Sequence, residues 1–183
     1  GGSQGAHAIN MALIDTLDKL PPDSALCVRH QTGTKDLGLV TAAYARHGIE
    51  AQVQPFFDDM ADCYQWADLA ICRAGATTVA ELTAVGLPAI FVPFPFAADD
   101  HQRLNAEAVV QASGGKMVLE QDLDGALLAN HLIRFMDHPE SLGEMAAAAR
   151  SLGRPAAAKE IVEDCLALLG SKSPAAQAEP ETK

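Results

Sequence analysis

The chain has 183 residues and a formal charge of −11 at pH 7, with 49% apolar and 20% charged residues. That balance suits one soluble globular domain with a real core, and the negative charge argues against a nucleic-acid partner, whose phosphates are gripped by clustered Lys and Arg. No apolar run approaches the roughly 20 residues that span a bilayer, and the opening GGSQGAHAIN lacks the basic and apolar segments of a signal peptide. The first residue is Gly rather than Met, so the expectation is that Gly1 marks a cut inside a larger protein.

The Gly-rich run GGSQG opens a helix in which Ile9, Leu13 and Leu17 recur at helical spacing, and Pro21-Pro22 ends it. A β-type run at 25–29 follows, then a helix at 35–47 closed by Gly48. Residues 52–56 read as a strand, 59–67 as a short helix and 69–72 as an apolar strand. A helix at 78–85 stops at Gly86, and 89–92 is a strand between Pro88 and Pro93. A helix at 101–112 ends in Ser113-Gly114-Gly115, and 116–119 is a last strand. Short apolar strands alternating with helices predict an α/β fold: a Rossmann-like parallel sheet with helices on both faces. Beyond residue 120 the pattern is helical only, at 124–137, 140–152 and 156–169, and these helices are expected around the sheet edge. Residues 1–170 are thus expected to form one domain. Residues 171–183, rich in Ser, Pro, Ala, Gln and Glu, are expected to be a disordered tail.

The four cysteines, Cys27, Cys63, Cys72 and Cys165, form no CxxC pair. Cys27 and Cys72 lie in apolar runs and are expected as buried small hydrophobes, in keeping with a reducing cytoplasm.

Ligands of parallel α/β sheets bind beyond the carboxyl ends of the strands, and three loops there have unusual composition. In GGSQG the glycines allow close backbone approach to a phosphate, the following helix offers free N–H groups, and Ser3 adds a hydroxyl. A plain tight turn fits that loop equally well. The second loop, RAGATTVAE at 73–81, again opens a helix. Thr77 or Thr78 suits its N-cap, and Glu81, three residues after Thr78, fits a capping box. Glu81 also suits a vicinal diol, since its two oxygens can each accept an O–H. Spacing alone favours the cap. The third loop, PFPFAADDHQ at 93–102, ends in two acids, a histidine and an amide. Asp99 or Asp100 fits a cap; His101 and Gln102 are poor caps, placed to meet sugar hydroxyls.

Together GGSQGA at 1–6, FFDDMADCYQWADLAICRAGATTVAEL at 56–82 and GLPAIFVPFPFAADDHQRLNA at 86–106 resemble the MurG family, which moves N-acetylglucosamine from UDP onto a lipid-linked muramyl-pentapeptide in cell-wall synthesis. The resemblance covers about residues 1–170. It implies a GT-B glycosyltransferase, with two Rossmann-like domains facing across a cleft, of which this chain is the UDP-sugar-binding C-terminal half with its first strand clipped away. It places Ser3 on the diphosphate and Phe57 beside the uracil. Ala76, Thr77, Thr78, Val79 and Ala80 bring helix amides to the phosphates, Glu81 goes to the ribose, and His101 and Gln102 to the N-acetylglucosamine. Glu81 then reads as a ribose ligand first and a cap second.

The resemblance further implies inversion by direct displacement, with the general base and the lipid-acceptor surface in the absent N-terminal domain. No catalytic residue is therefore expected in this chain, which alone would transfer no sugar. GT-B enzymes usually work without a metal, so no metal or other cofactor is expected, despite the pairs Asp58-Asp59 and Asp99-Asp100. The whole protein is expected to sit peripherally on the cytoplasmic face of the cell membrane. His7 could approach the diphosphate; Met60 reads as packing. His30, His47, His131 and His138 read as residues of element ends or helix surfaces. The rival readings are the donor domain of another GT-B enzyme, such as a glycolipid glycosyltransferase or a UDP-N-acetylglucosamine epimerase, and a non-catalytic nucleotide-binding module.

Overall fold

The computed structural model describes residues 6–22 and 24–170. The chain divides into two compact units, Gly1–Gly153 and Arg154–Lys183. The first contains α1 (His7–Leu17), β1 (Cys27–Gln31), α2 (Leu37–His47), β2 (Glu50–Gln54), α3 (Met60–Trp66) and β3 (Ala70–Cys72). It continues with α4 (Ala76–Val85), β4 (Ala89–Phe91), α5 (His101–Gln111), β5 (Gly115–Met117), α6 (Gly125–Asp137) and α7 (Glu140–Leu152). In the second unit the described element is α8 (Ala157–Gly170). The expected tail at 171–183 lies outside the described residues.

Every strand pairing among the described residues is parallel, as the alternation of strands and helices predicts. Period-two alternation sorts the side chains of β4: Ala89 and Phe91 join Leu82, Ala106 and Val109 on one face, while Ile90 joins Ala12, Leu128 and Phe135 on the other. Leu17, Val40, Ala43 and Tyr44 pack over β1 and β2. Helices α2 and α4 stop where Gly48 and Gly86 adopt left-handed φ of 65° and 72°, a conformation that a Cβ would strain. Of the late helices, α6 lies against α1 and completes a face of the sheet rather than its edge, while α7 packs on α4.

One feature departs from the expected continuous sheet. The strands form two ladders, β1-β2 and β3-β4-β5, with no pairing between β1 and β3 among the described residues. Two further expectations are corrected. Cys27 is exposed, because it opens β1 with its side chain toward Glu50 at the strand's start, and Cys72 is only half-buried. His30 is not at an element end. It is 7% exposed inside β1, where Nε2 lies 2.9 Å from Asn10 Oδ1 and Nδ1 3.1 Å from the Tyr44 hydroxyl. Burial pushes its pKa down to about 4, so the ring is neutral: it donates to Asn10 and accepts from Tyr44.

Candidate functional site

Parallel pairing brings the carboxyl ends of β1 and β2 to one edge of their ladder and those of β3, β4 and β5, with the loops that follow them, to one edge of theirs. The start of α1 is tied to the first of these edges. Asn10 Nδ2 donates to Thr32 O at 3.0 Å and to Asp36 Oδ2 at 2.7 Å, and His7 Nδ1 lies 2.9 Å from the same carboxylate. These contacts, Asn10 first, hold Asp36 below the usual carboxylate range. Ser3 and the rest of the GGSQG loop lie outside the described residues, so no position is assigned to them.

The loop after β3 departs from the capping expectation in a way that matters for Glu81. Helix α4 begins at Ala76, and its N-cap is Gly75, which offers no side-chain hydrogen bond. Thr77 and Thr78 are therefore inside the first turn and cap nothing, and Glu81 stands too deep in the helix to reach back to the cap N–H. The small residues let the chain enter the helix two residues earlier than the threonines suggested. Two consequences follow. The first-turn amides of α4 are left without a side-chain acceptor, the condition under which a helix start attracts an anion. The Glu81 carboxylate is exposed, and its Oε2 accepts from the Tyr64 hydroxyl of α3 at 2.9 Å. Burial first, then the Glu81 carboxylate, raises the Tyr64 hydroxyl above the ordinary phenol value, so it stays a donor.

Of the other residues in that run, Ala76, Thr77 and Ala80 are exposed, Thr78 is half-buried, and Val79 packs on the core beside Leu82. Val79 thus contributes its backbone, not its side chain, to any ligand. The whole loop is braced from below. Arg73 Nη1 donates to Val92 O and Pro93 O at 3.0 and 3.1 Å, its Nη2 forms an ion pair with Glu120, and its guanidinium lies over the Phe94 ring. Asn105 Nδ2 donates to Ala74 O at 3.0 Å.

The loop after β4 crosses a short 3-10 turn at Ala98–Asp100, where Asp99 and Asp100 both adopt positive φ, 48° and 54°. Consecutive left-handed non-Gly residues are uncommon and cost free energy. Asp100 is the N-cap of α5 by position but makes no capping bond; its carboxylate pairs with Arg103. His101 is exposed with Nδ1 2.7 Å from Ala98 O, and Gln102 Oε1 accepts from the Phe94 N–H at 3.0 Å. Both side chains thus fold their own loop; the Gln102 carboxamide still has N–H groups to offer a ligand.

Phe57 is 7% exposed, with its N–H donated to Gln31 Oε1 at 3.0 Å, whereas its neighbour Phe56 is exposed. The Phe57 ring is core. Asp59 caps α3 through the Asp62 N–H at 2.9 Å. His47 pairs with Asp18, and His138 with Glu140. Phe56, Gly75, Thr78, Glu81, Phe94 and Gln102 all line one continuous cavity of about 1730 Å³.

Tyr64 and Arg73 are the residues that sequence reasoning missed. Both stood inside segments that carry the resemblance, but neither had an assigned role or partner.

The uncapped helix start, the exposed Glu81 carboxylate and the polar third loop, all beyond the carboxyl ends of parallel strands, form a Rossmann-like unit with the features of a nucleotide-binding edge. The sequence profile of the glycosyltransferase family 28 C-terminal domain matches residues 1–161, and the chain belongs to that family. It is 48% identical over 168 residues to the UDP-N-acetylglucosamine–N-acetylmuramyl-(pentapeptide) pyrophosphoryl-undecaprenol N-acetylglucosamine transferase of Geobacter sulfurreducens, covering 91% of this chain and 46% of that protein. The protein of the same name from Anaeromyxobacter sp. is 49% identical over 183 residues, covering 98% and 48%. The chain thus spans about half the length of the curated relatives it matches. Among solved structures, Acinetobacter baumannii MurG superposes with a TM-score of 0.83 at 37% identity, covering 91% of this chain and 50% of that one. The calicheamicin glycosyltransferase CalG4, at TM-score 0.62 and 20% identity, shares the fold.

Proposed function

We propose that this chain is the donor half of an inverting N-acetylglucosaminyltransferase that binds UDP-N-acetylglucosamine and, as part of the longer protein, converts a lipid-linked muramyl-pentapeptide (lipid I) to the disaccharide (lipid II) in peptidoglycan synthesis. The observation that carries the reading is the pairing of an uncapped α4 start with an exposed, tyrosine-held Glu81 five residues on. A nucleoside diphosphate presents a dianion beside a vicinal diol, and this arrangement offers donors and acceptors in that order.

In this reading the amides of Ala76, Thr77 and Thr78 meet the diphosphate, and Val79 and Ala80 complete the turn. The Glu81 carboxylate accepts from the ribose hydroxyls. His101 and the Gln102 carboxamide face the sugar. Ser3 joins the diphosphate, and the uracil lies by backbone groups near Phe57. The departing UDP gains charge as the glycosidic bond breaks, and a fixed helix dipole stabilises that charge without reorganising. The base that deprotonates the acceptor lies outside these 183 residues, and so does the acceptor surface, so the chain alone transfers no sugar. The relatives' names supply the donor and acceptor of the reading. No helix among the described residues is long and apolar enough to cross a membrane, and the whole protein is placed peripherally, on the cytoplasmic face where a UDP-sugar is available.

Calorimetric titration of the chain tests this. UDP is expected to bind one to one and more tightly than CMP or inorganic diphosphate; indifference among the three would defeat the proposal.

A further inference from the structure

The loops after β3 and β4 are fastened to each other by their own side chains. Arg73 leaves β3 and reaches across to the end of β4, where both N–H groups of Nη1 are taken by Val92 O and Pro93 O at 3.0 and 3.1 Å. Its Nη2 pairs with Glu120, beyond β5, so one guanidinium joins the chain beyond three neighbouring strands of the ladder. Its Cζ lies over the Phe94 ring, 5.3 Å from the centroid. A return tie runs the other way: Asn105 of α5 donates from Nδ2 to Ala74 O at 3.0 Å. Arg73 and Ala74 thus hold both feet of the loop after β4, its entry at Val92-Pro93 and its exit on α5. The next residue is Gly75, the N-cap of α4.

An arginine this close to a helix start invites a role as a phosphate ligand, but its groups are committed elsewhere. The side chain is mostly buried, and its charge is matched by Glu120. What it holds is a loop that does not hold itself. Asp99 and Asp100 carry positive φ, Asp100 gives α5 no capping bond, and Phe96 is largely exposed. Left-handed backbone at non-Gly residues costs free energy and persists only where the surroundings fix it. Helix α4, by contrast, is anchored in the core through Val79 and Leu82. Of the two loops, the one after β4 is therefore the one that moves when the ties are cut. Gln102 moves with it, because its Oε1 is held by the Phe94 N–H.

We infer that Arg73 and Asn105 are positioning residues that set the span between the start of α4 and the Gln102 carboxamide, and so select a ligand by the distance from its diphosphate to the polar groups of its sugar. The inference rests on the donor reading above and deepens it. A nucleoside diphosphate alone engages one side of the span, whereas a nucleoside diphosphate sugar engages both, so only the second depends on the ties. Neither Arg73 nor Asn105 touches the ligand; each acts through Gln102. Lysine is no substitute for Arg73, since its ammonium is a single point that cannot span two carbonyls and a carboxylate while lying flat on a ring.

Calorimetry and amide hydrogen exchange test this with Arg73→Lys, which keeps the charge and removes the fork. UDP affinity is expected to fall by at most about twofold, while the extra affinity of UDP-N-acetylglucosamine over UDP falls by about fivefold or more. Without ligand, exchange of the Phe94 amide should quicken by about tenfold, with the amides of Val79 and Leu82 unchanged. In a Gln102→Glu background, Arg73→Lys should alter the remaining sugar preference by less than about twofold, because the group it positions is already lost. If Arg73→Lys does not fold, Asn105→Ala, which cuts only the return tie, is expected to give the same pattern. Loss of UDP and inorganic diphosphate affinity in step would make Arg73 a phosphate ligand and overturn the inference. So would an unaltered sugar preference, whether or not Phe94 exchange changes, or an equal effect of Arg73→Lys with and without Gln102. A parent that binds CMP as well as UDP defeats the donor reading itself, and the specificity role with it, whatever the variants do.

Discussion

Replacing Glu81 by Gln probes the ribose assignment directly, and the structure sharpens what the change should do. The helix starts at Ala76, so Glu81 is no cap, and removing its charge breaks no capping bond. The side chain is exposed and its one described partner is the Tyr64 hydroxyl at 2.9 Å, for which the Gln carbonyl is an adequate acceptor. Unfolding free energy should therefore stay within about 0.5 kcal/mol of the parent, the usual range for surface substitutions. Binding should behave differently. With Oε2 committed to Tyr64, the other oxygen and the remaining lone pairs serve two ribose hydroxyls, and Gln replaces that oxygen by an NH2 group that cannot accept. Loss of charge-assisted acceptance costs roughly 1.5–3 kcal/mol, so UDP should bind at least about tenfold more weakly, which is about 1.4 kcal/mol. Calorimetry with UDP and 2′,3′-dideoxy-UDP measures it: the dideoxy compound, lacking the diol, should bind parent and variant alike. Equal UDP affinity in both proteins would refute the reasoning and leave Glu81 a surface acid.

Tyr64→Phe removes the donor that fixes Glu81, and UDP affinity is expected to fall by about three- to tenfold, since the lost bond orients the ribose acceptor without itself touching the ligand, with dideoxy-UDP unaffected; loss of both together would mean that α3 had been disturbed instead. Gln102→Glu keeps the acceptor for the Phe94 N–H but removes the carboxamide donor, so UDP binding should hold while the extra affinity of UDP-N-acetylglucosamine over UDP declines. A fall in UDP affinity itself would put the third loop in the wrong place. His30 yields a pH dependence. Its folded-state pKa is depressed from 6.5 to about 4 by burial, so only the unfolded chain takes up the proton in that window. Its stabilising contribution is full above pH 6.5 and declines as the pH falls toward 4, by on the order of 3 kcal/mol in all. Urea unfolding of parent and His30→Gln between pH 7 and 4.5 should show a steeper decline for the parent, and parallel slopes would contradict the assignment.

What the sequence determined by itself was local. The order of strands and helices could be read because apolar periods of 2 and 3.6 and the Gly and Pro breaks are properties of short windows. Gly48 and Gly86 marked helix ends correctly for that reason. The three loops could be singled out because their composition differs from the elements around them. Tertiary structure decided the rest. The capping box at Thr78 and Glu81 had the right spacing, but Gly75 let α4 start earlier, and Glu81 was claimed by Tyr64, 17 residues away. Gln102 looked free because its partner is the backbone N–H of Phe94, which no side-chain pattern reports. His30 looked like an end residue because its burial depends on Asn10 and Tyr44, which arrive from two other helices. That β1 and β3 share no ladder among the described residues has no signature in either strand's own residues, since a strand's neighbours are chosen by how helices such as α1 and α3 pack and not by the strand itself; only the resemblance, with its clipped first strand, pointed there.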